Sequence, residues 1–237
     1  MVEWKDQGFI LGIRSFGEKD AILHVMTQHH GCHAGVLKNF KSKSNQALQM
    51  GSLVRCHWKA RLSEHLGMWA LEPEKSYLAS VLGDPQRLLA LSVAAQFTTS
   101  LVPERHPYPH FYAVWSNLLE TLAHEAEWKK EYVFFEFHLL QELGFGLKLD
   151  VCAVSNTSDN LKYVSPKTGC AVREDIGMPY HDKLFQLPSF LGTKEGIYHP
   201  KDIRDGLEMT GYFLMKHFSE QKYANLFQTR QRFIENL

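Results

Sequence analysis

The feature that most constrains this chain is a series of five short apolar runs between Phe9 and Glu72, each cut off by glycine or polar residues. Phe9-Ile10-Leu11-Gly12-Ile13-Arg14 reads as a first strand, Ala21 to Thr27 as a second, and Cys32 to Leu37 as a third. Leu53 to Leu62 reads as a fourth and the stretch near Gly67 to Glu72 as a fifth. Ser15–Asp20 and Gln28–Gly31 are tight polar turns, while Lys38 to Gly51 is a long polar loop. Runs this short cannot bury themselves as helices, and five of them so closely spaced predict a small barrel. The five-stranded barrel that fits the count is the OB-fold, a frequent nucleic-acid binder. An SH3-like barrel fits the same pattern.

Charge points to the same kind of ligand. From Ala21 to Ser63 there is not one Asp or Glu, yet that span carries Lys38, Lys41, Lys43, Arg55, Lys59 and Arg61, with His24, His29, His30, His33 and His57. Clearing acids from one region allows a polyanion to approach. The fourth run alternates with period two, so Val54, Cys56, Trp58, Ala60 and Leu62 are expected on a buried face. Arg55, His57, Lys59 and Arg61 then form an outward row. An ordinary solvated strand face would show the same alternation; the acid-free context favours nucleic acid. The expected phosphate-binding residues are Lys38, Lys41, Lys43, Arg55, Lys59 and Arg61, with Arg14 and Lys19 at the rim. Phe40 is expected to stack on unpaired bases.

After Pro73 the texture turns helical. Asp84-Pro85 is an N-cap followed by proline at the first helical position, opening a helix from Gln86 to Leu101. Helical spacing resumes from Phe111 to Leu122, beyond Pro103, Pro107 and Pro109. A third helix runs from Tyr132 to Leu143, with Gly144 as C-cap and so little polar face that it should lie deep in the core. Residues 147–177 lose this periodicity and read as a β-ribbon with a turn at Ser165–Gly169. Helix returns at about Asp202, and a final helix spans Lys222 to Glu235. The expected class is therefore α+β: a barrel domain over 1–80, then a helical domain over 81–237 with a ribbon insertion.

Zero net charge hides an asymmetry. Residues 1–80 hold 10 Lys and Arg against 7 Asp and Glu, whereas 81–237 hold 16 against 19. That split suggests two modules with different partners. Four cysteines without a dense framework fit a reducing cytoplasm, and the amino terminus lacks the apolar core of a signal peptide. No apolar run reaches membrane-spanning length.

Catalytic signatures do not emerge. There is no Walker-type phosphate loop, no Gly-x-Ser-x-Gly elbow, and no nucleophile with a base and an orienting group. His29 and His30, beside Cys32 and His33, are expected to point away from each other rather than share a metal. His138 reads as a hydrogen-bonded core residue. Cys152 and Cys170 bracket the ribbon, but a structural zinc site needs paired thiolates at each end. Ser155 stands three residues after Cys152, Val172 and Arg173 follow Cys170, and His181 is a poor substitute. Neither metal nor cofactor is expected.

Taken together, Gly8–Leu11, Gly17–Leu23, Thr27–Gly31, the Lys38–Leu48 loop, Phe137–Gly144 and Leu161–Gly169 resemble the bacterial recombination mediator family RecO, in order and spacing, over nearly the whole length. The resemblance implies an amino-terminal OB-fold, a helical carboxy-terminal domain and, in some members, a zinc ribbon. It implies binding of single- and double-stranded DNA, strand annealing, and action with RecR to load RecA onto DNA covered by single-strand-binding protein. It further implies a cytoplasmic, nucleoid-associated protein without enzymatic activity, and docking of the single-strand-binding protein's acidic carboxy-terminal tail on the helical domain. The load of aromatics there, including Phe111, Tyr112, Trp115, Phe213 and Phe218, is expected to be mostly core and to leave a hydrophobic groove for that tail, with Lys129, Lys130 and Lys216 as its basic rim. Rival readings are an RNA-binding OB module of an enzyme with its catalytic centre among the helices, and an interaction scaffold.

Overall fold

A computed structural model describes residues 1–192 and 199–237. Strand β1 (Val2–Phe16) is long enough to pair twice. It runs antiparallel to β2 (Asp20–Thr27) with Gly8 opposite Thr27 and Phe16 opposite Asp20, and antiparallel to β4 (Ser52–Ala60) with Val2 opposite Ala60. β2 pairs with β3 (Gly31–Leu37), β3 runs parallel to β5 (Gly67–Ser76), and β5 returns antiparallel to β4. The sheet closes in the order β1-β2-β3-β5-β4, which is the OB-fold. A register shift between Ile10 and Gly12 bends β1 so that it can serve both neighbours.

The alternation read from the fourth run holds within the strand. Val54, Cys56, Trp58 and Ala60 are buried with Ile10, Leu23, Val25 and Trp69 in the barrel core. Leu62 is the correction: β4 ends at Ala60, and Leu62 lies beyond it, 46% exposed. Trp58 and Trp69 donate their indole N–H groups to the carbonyls of Ala34 and Leu23, so neither ring costs an unmet hydrogen bond. Phe9, Ile10 and Leu11 are buried consecutively because both faces of β1 are covered. Ile10 points into the barrel, while Phe9 stacks on Tyr112 at 5.0 Å and meets Tyr77 edge-on at 6.4 Å.

A short helix α1 (Leu78–Val81) precedes α2 (Pro85–Leu101) and α3 (Pro109–His124). The Asp84 cap forms as its sequence predicts, accepting from the backbone N–H groups of Gln86 and Arg87. Two compact units result, residues 1–126 with 235–237 and residues 127–234. The change of texture near residue 80 marks where strands give way to helices, and α2 and α3 share the barrel's unit.

The second unit contains α4 (Trp128–Glu142) and a four-stranded sheet of β6 (Lys148–Cys152), β7 (Leu161–Val164), β8 (Cys170–Arg173) and β9 (Phe185–Gln186). A short α5 (Glu174–Gly177) follows β8, and the helices α6 (Pro200–His217) and α7 (Ala224–Glu235) follow the sheet. The sheet order is β6-β8-β7-β9, so the ribbon is broader than a two-strand excursion. Leu143 and Gly144 end α4, with Gly144 at φ +83° and Phe145 N–H donating to the Leu140 carbonyl at 2.8 Å. The expectation that α4 lacks a polar face needs one amendment. Glu136 is fully buried and is bound by Arg230 from α7 through two hydrogen bonds of 2.7 Å. Thr210 of α6 donates to the same carboxylate, and Arg230 donates also to the Leu207 carbonyl at 2.6 Å. One ion pair thus ties three helices, and its partners lie so far apart in sequence that no spacing rule links them.

Removing one member of such a pair leaves a buried charge unmatched. Arg230→Ala should lower stability by about 3–5 kcal/mol, whereas Glu136→Gln with Arg230→Met should recover much of that loss. Urea denaturation of the three proteins checks this; an Arg230→Ala protein of unchanged midpoint would contradict it.

Candidate nucleic-acid interface

The β1–β2 turn, Gly17–Lys19, begins with Gly17 in the left-handed region at φ +67°. It brings Asp20 under the start of the long loop, where Asp20 accepts from Lys38 Nζ at 2.6 Å and from the Asn39 N–H at 2.9 Å. The Lys41 N–H donates to the Lys19 carbonyl at 3.4 Å, and a single 3-10 turn at Lys43–Asn45 shapes the loop's far side. The result is a cavity of about 790 Å³ lined by Lys19, Lys38, Asn39, Lys41, Ser42, Ser44 and Asn45. Three ammonium groups and four neutral polar side chains with no carboxylate in the lining make an anion-accepting surface.

The outward row of β4 is differently placed. Arg55, His57 and Lys59 do point away from the core, but carboxylates from neighbouring strands meet them. Arg55 Nε lies 2.7 Å from Glu74 and its Nη1 4.0 Å from Glu72, both on β5. Glu3 of β1 lies 2.8 Å from His57 and 3.8 Å from Lys59. The stretch lacks acids in sequence, yet barrel pairing supplies them from outside it. Arg14, Lys19, Lys41, Lys43 and Arg61 form no ion pair among the described residues. Phe40 is half-buried against the barrel core.

His29 and His30 do not diverge. They occupy the β2–β3 turn, where strand alternation does not apply, and both rings approach Asp6, each Nδ1 2.9 Å from one carboxylate oxygen. Burial alone would raise the Asp6 pKa, but these contacts and the His29 and Gln7 N–H groups hold it below the usual carboxylate range. Trp4 stacks on His30 at 4.1 Å and on Trp58 at 5.5 Å, so the turn is fixed to the core through aromatic contacts. His33 lies in the same cluster, 6% exposed, with Nδ1 lacking a hydrogen-bond partner. His138 is half-buried beside Gln141, not a core residue.

In the ribbon, Cys152 is buried and Cys170 partly exposed, and both are free thiols. Burial works to raise the Cys152 pKa, but the Ser155 hydroxyl and the N–H groups of Ser155, Val154 and Arg173 bring it down to about 7. Arg173, three residues after Cys170, pairs with Asp159 and Asp175 at 3.0 Å. His181 turns back to the Met178 carbonyl at 3.1 Å. Among the described residues no group of three or more His, Cys, Asp or Glu could hold a metal ion. Two thiols, a serine and an already-paired guanidinium do not fit a four-ligand zinc site.

The aromatics assigned to a groove among the helices are mostly core. Phe111, Tyr112, Trp115 and Phe213 are buried, and Phe218 is half-buried. Of the expected basic rim, Lys216 donates to the Pro166 carbonyl at 2.9 Å and lies over the Tyr212 and Phe213 rings. Lys129 and Lys130 lie over Trp128 and Phe134.

Fold and surface together define an OB-fold protein of the α+β class with a basic cavity at the barrel rim. Its sequence profile narrows this. Residues 1–71 match the family described as Recombination protein O N terminal, and residues 82–225 match Recombination protein O C terminal. A DNA repair protein RecO of Rhodospirillum rubrum is 38% identical over 244 aligned residues, covering 100% of this chain and 97% of that protein. The protein of the same name from Bartonella quintana is 41% identical, covering 93% and 91%. The one from Rhodospirillum centenum is 39% identical, covering 99% and 94%. The chain belongs to the RecO family of DNA repair and recombination proteins. No helix among the described residues is long and apolar enough to cross a membrane.

Two outcomes follow from this chemistry. Burial, and secondarily the nearby Arg105 charge, push the His33 pKa down to about 4. The unfolded chain therefore binds a proton that the folded chain refuses between about pH 6.5 and 4. Stability should be intact above pH 6.5 and fall by roughly 2–4 kcal/mol as pH drops through that window. His33→Asn should flatten the fall, measured by urea midpoints against pH; an unchanged slope would contradict it. The ribbon, for its part, should hold no stoichiometric zinc by elemental analysis and should keep its fold in a chelator. Zinc at one per chain with unfolding on chelation would contradict that.

Proposed function

We propose that the barrel binds single- and double-stranded DNA through its cationic rim, that the protein anneals complementary strands, and that with RecR it helps load RecA onto DNA coated by single-strand-binding protein. The supporting observation is the cavity lined by Lys19, Lys38 and Lys41 with no carboxylate among its lining residues; Lys43 belongs to the same loop, and Arg14 to the strand that leads into the β1–β2 turn. Cations there lower the repulsion between two phosphate backbones, and annealing needs no covalent step, so no enzymatic activity is assigned. Binding through phosphates leaves base sequence unread, as an annealing protein requires. The work is divided between residues 1–80 for DNA and 81–237 for protein partners, including the acidic tail of the single-strand-binding protein. The setting is the cytoplasm, at the nucleoid.

Arg55 and Lys59, with Glu74 and Glu3 beside them, take a secondary part. If about six phosphates are neutralised on a single strand, the slope of log affinity against log salt is roughly −4. Lys19→Glu, Lys41→Glu and Lys43→Glu together should weaken binding at least about tenfold and make the slope shallower by about 2. Arg55→Gln with Lys59→Gln should change either quantity far less. Salt titrations of binding and an annealing-rate assay measure this; a folded triple-Glu protein that binds and anneals like wild type would refute the reading.

A further inference from the structure

The barrel contains seven aromatic rings of Phe, Trp and Tyr besides its histidines: Trp4, Phe9, Phe16, Phe40, Trp58, Trp69 and Tyr77. Phe9, Trp58, Trp69 and Tyr77 are at most 4% exposed. Trp4 stacks on both His30 and Trp58, and Phe40 packs on the core. Phe16 alone stands out, 47% exposed. It stands at the cationic rim, where the other aromatic, Phe40 between Asn39 and Lys41, is laid on the core instead. As the partner of Asp20 across the β1–β2 hairpin, it stands on the same face of that pair. Asp20 in turn holds Lys38, and Arg14 precedes Phe16 by two residues on the same strand face.

The route that nucleic acid takes over many OB barrels, across the outer face of strands 2 and 3, is closed in this one. Ile22, Ala34 and Val36 on that face are buried. The segment after α2 lies against β3, with Glu104 bridged to Cys32 and the Arg105 N–H donating to the Cys32 carbonyl at 2.8 Å. A Cβ on Gly31 would come within 1.8 Å of the His106 carbonyl oxygen, so this strap sits directly on the β2–β3 turn. Strands 2 and 3 themselves offer no open Phe, Trp or Tyr ring on that face.

We infer that Phe16 is the platform on which an unpaired base stacks, and that this stacking makes the barrel favour single strands over duplex. This rests on the reading that the rim around Lys19 and Lys41 binds DNA. Phosphates on the lysines would bring a base of a flexible strand within reach of a ring set beside Asp20 and Lys38. A duplex offers only charge, because its bases already stack on one another, whereas any unpaired base has a free π-face.

The test uses the full chain with three labelled probes: an oligo-dT strand, an abasic sugar–phosphate oligomer of equal length, and a blunt duplex. Phe16→Ala and Phe16→Leu should each weaken oligo-dT binding about fivefold to a hundredfold and leave the other two probes unchanged. Phe16→Trp should retain oligo-dT binding. Lys19→Glu with Lys41→Glu should weaken all three. If the lysine variant loses affinity while Phe16→Ala and Phe16→Leu bind oligo-dT as wild type does, the stacking inference fails alone. It fails equally if the Phe16 variants weaken all three probes to the same degree. If the lysine variant loses nothing, the DNA-binding rim itself is refuted.

Discussion

Everything in the first unit depends on β1 being able to pair on both edges. A sheet of five strands has two edges to satisfy, and closure removes them only if one strand reaches both neighbours. Val2–Phe16 does so by giving its first half to β4 and its second half to β2, with an irregularity at Ile10–Gly12 where the strand changes partners. From that closure follow the Trp58–Trp69 core, the position of the β1–β2 turn beneath the long loop, and the rim cavity. Closure also brings Glu3 alongside His57 and Lys59.

That last consequence shifts the weight of the electrostatics. A run of bases without acids in sequence is not a run without acids in space. Each strand in a barrel has two neighbours, and β4 receives Glu3 from one and Glu72 and Glu74 from the other. The loop between β3 and β4 lies outside the ladder and keeps its charge. Only Lys38 there is paired, and Asp20 uses that pair to orient the loop rather than to fill the cavity.

Period-two alternation and turn residues made the barrel readable because both are local signals. The Asp84 cap and the Gly144 stop were readable for the same reason. What is not legible is which particular side chains meet over long range. Glu136 and Arg230 come from helices far apart in sequence, and Asp6 draws in two histidines that neighbour each other in a turn. Alternation carries Leu62 onto the buried face because it says nothing about where a strand ends, and β4 ends at Ala60. Phe40 and Phe16 look alike in sequence as aromatics near basic residues; only packing separates the one laid on the core from the one left in solvent. The aromatics of the helices are mostly core, as large rings at helical spacing usually are.

The most direct measurement of the account is lysine protection. Acetylation of exposed ammonium groups, followed residue by residue with mass spectrometry, should slow at Lys19, Lys38, Lys41 and Lys43 when a saturating oligo-dT strand is bound. Lys59, which faces Glu3, should react nearly as in the free protein. Protection of Lys59 with free reaction at Lys19, Lys41 and Lys43 would place the DNA on the strand face and contradict the assignment of binding to the rim.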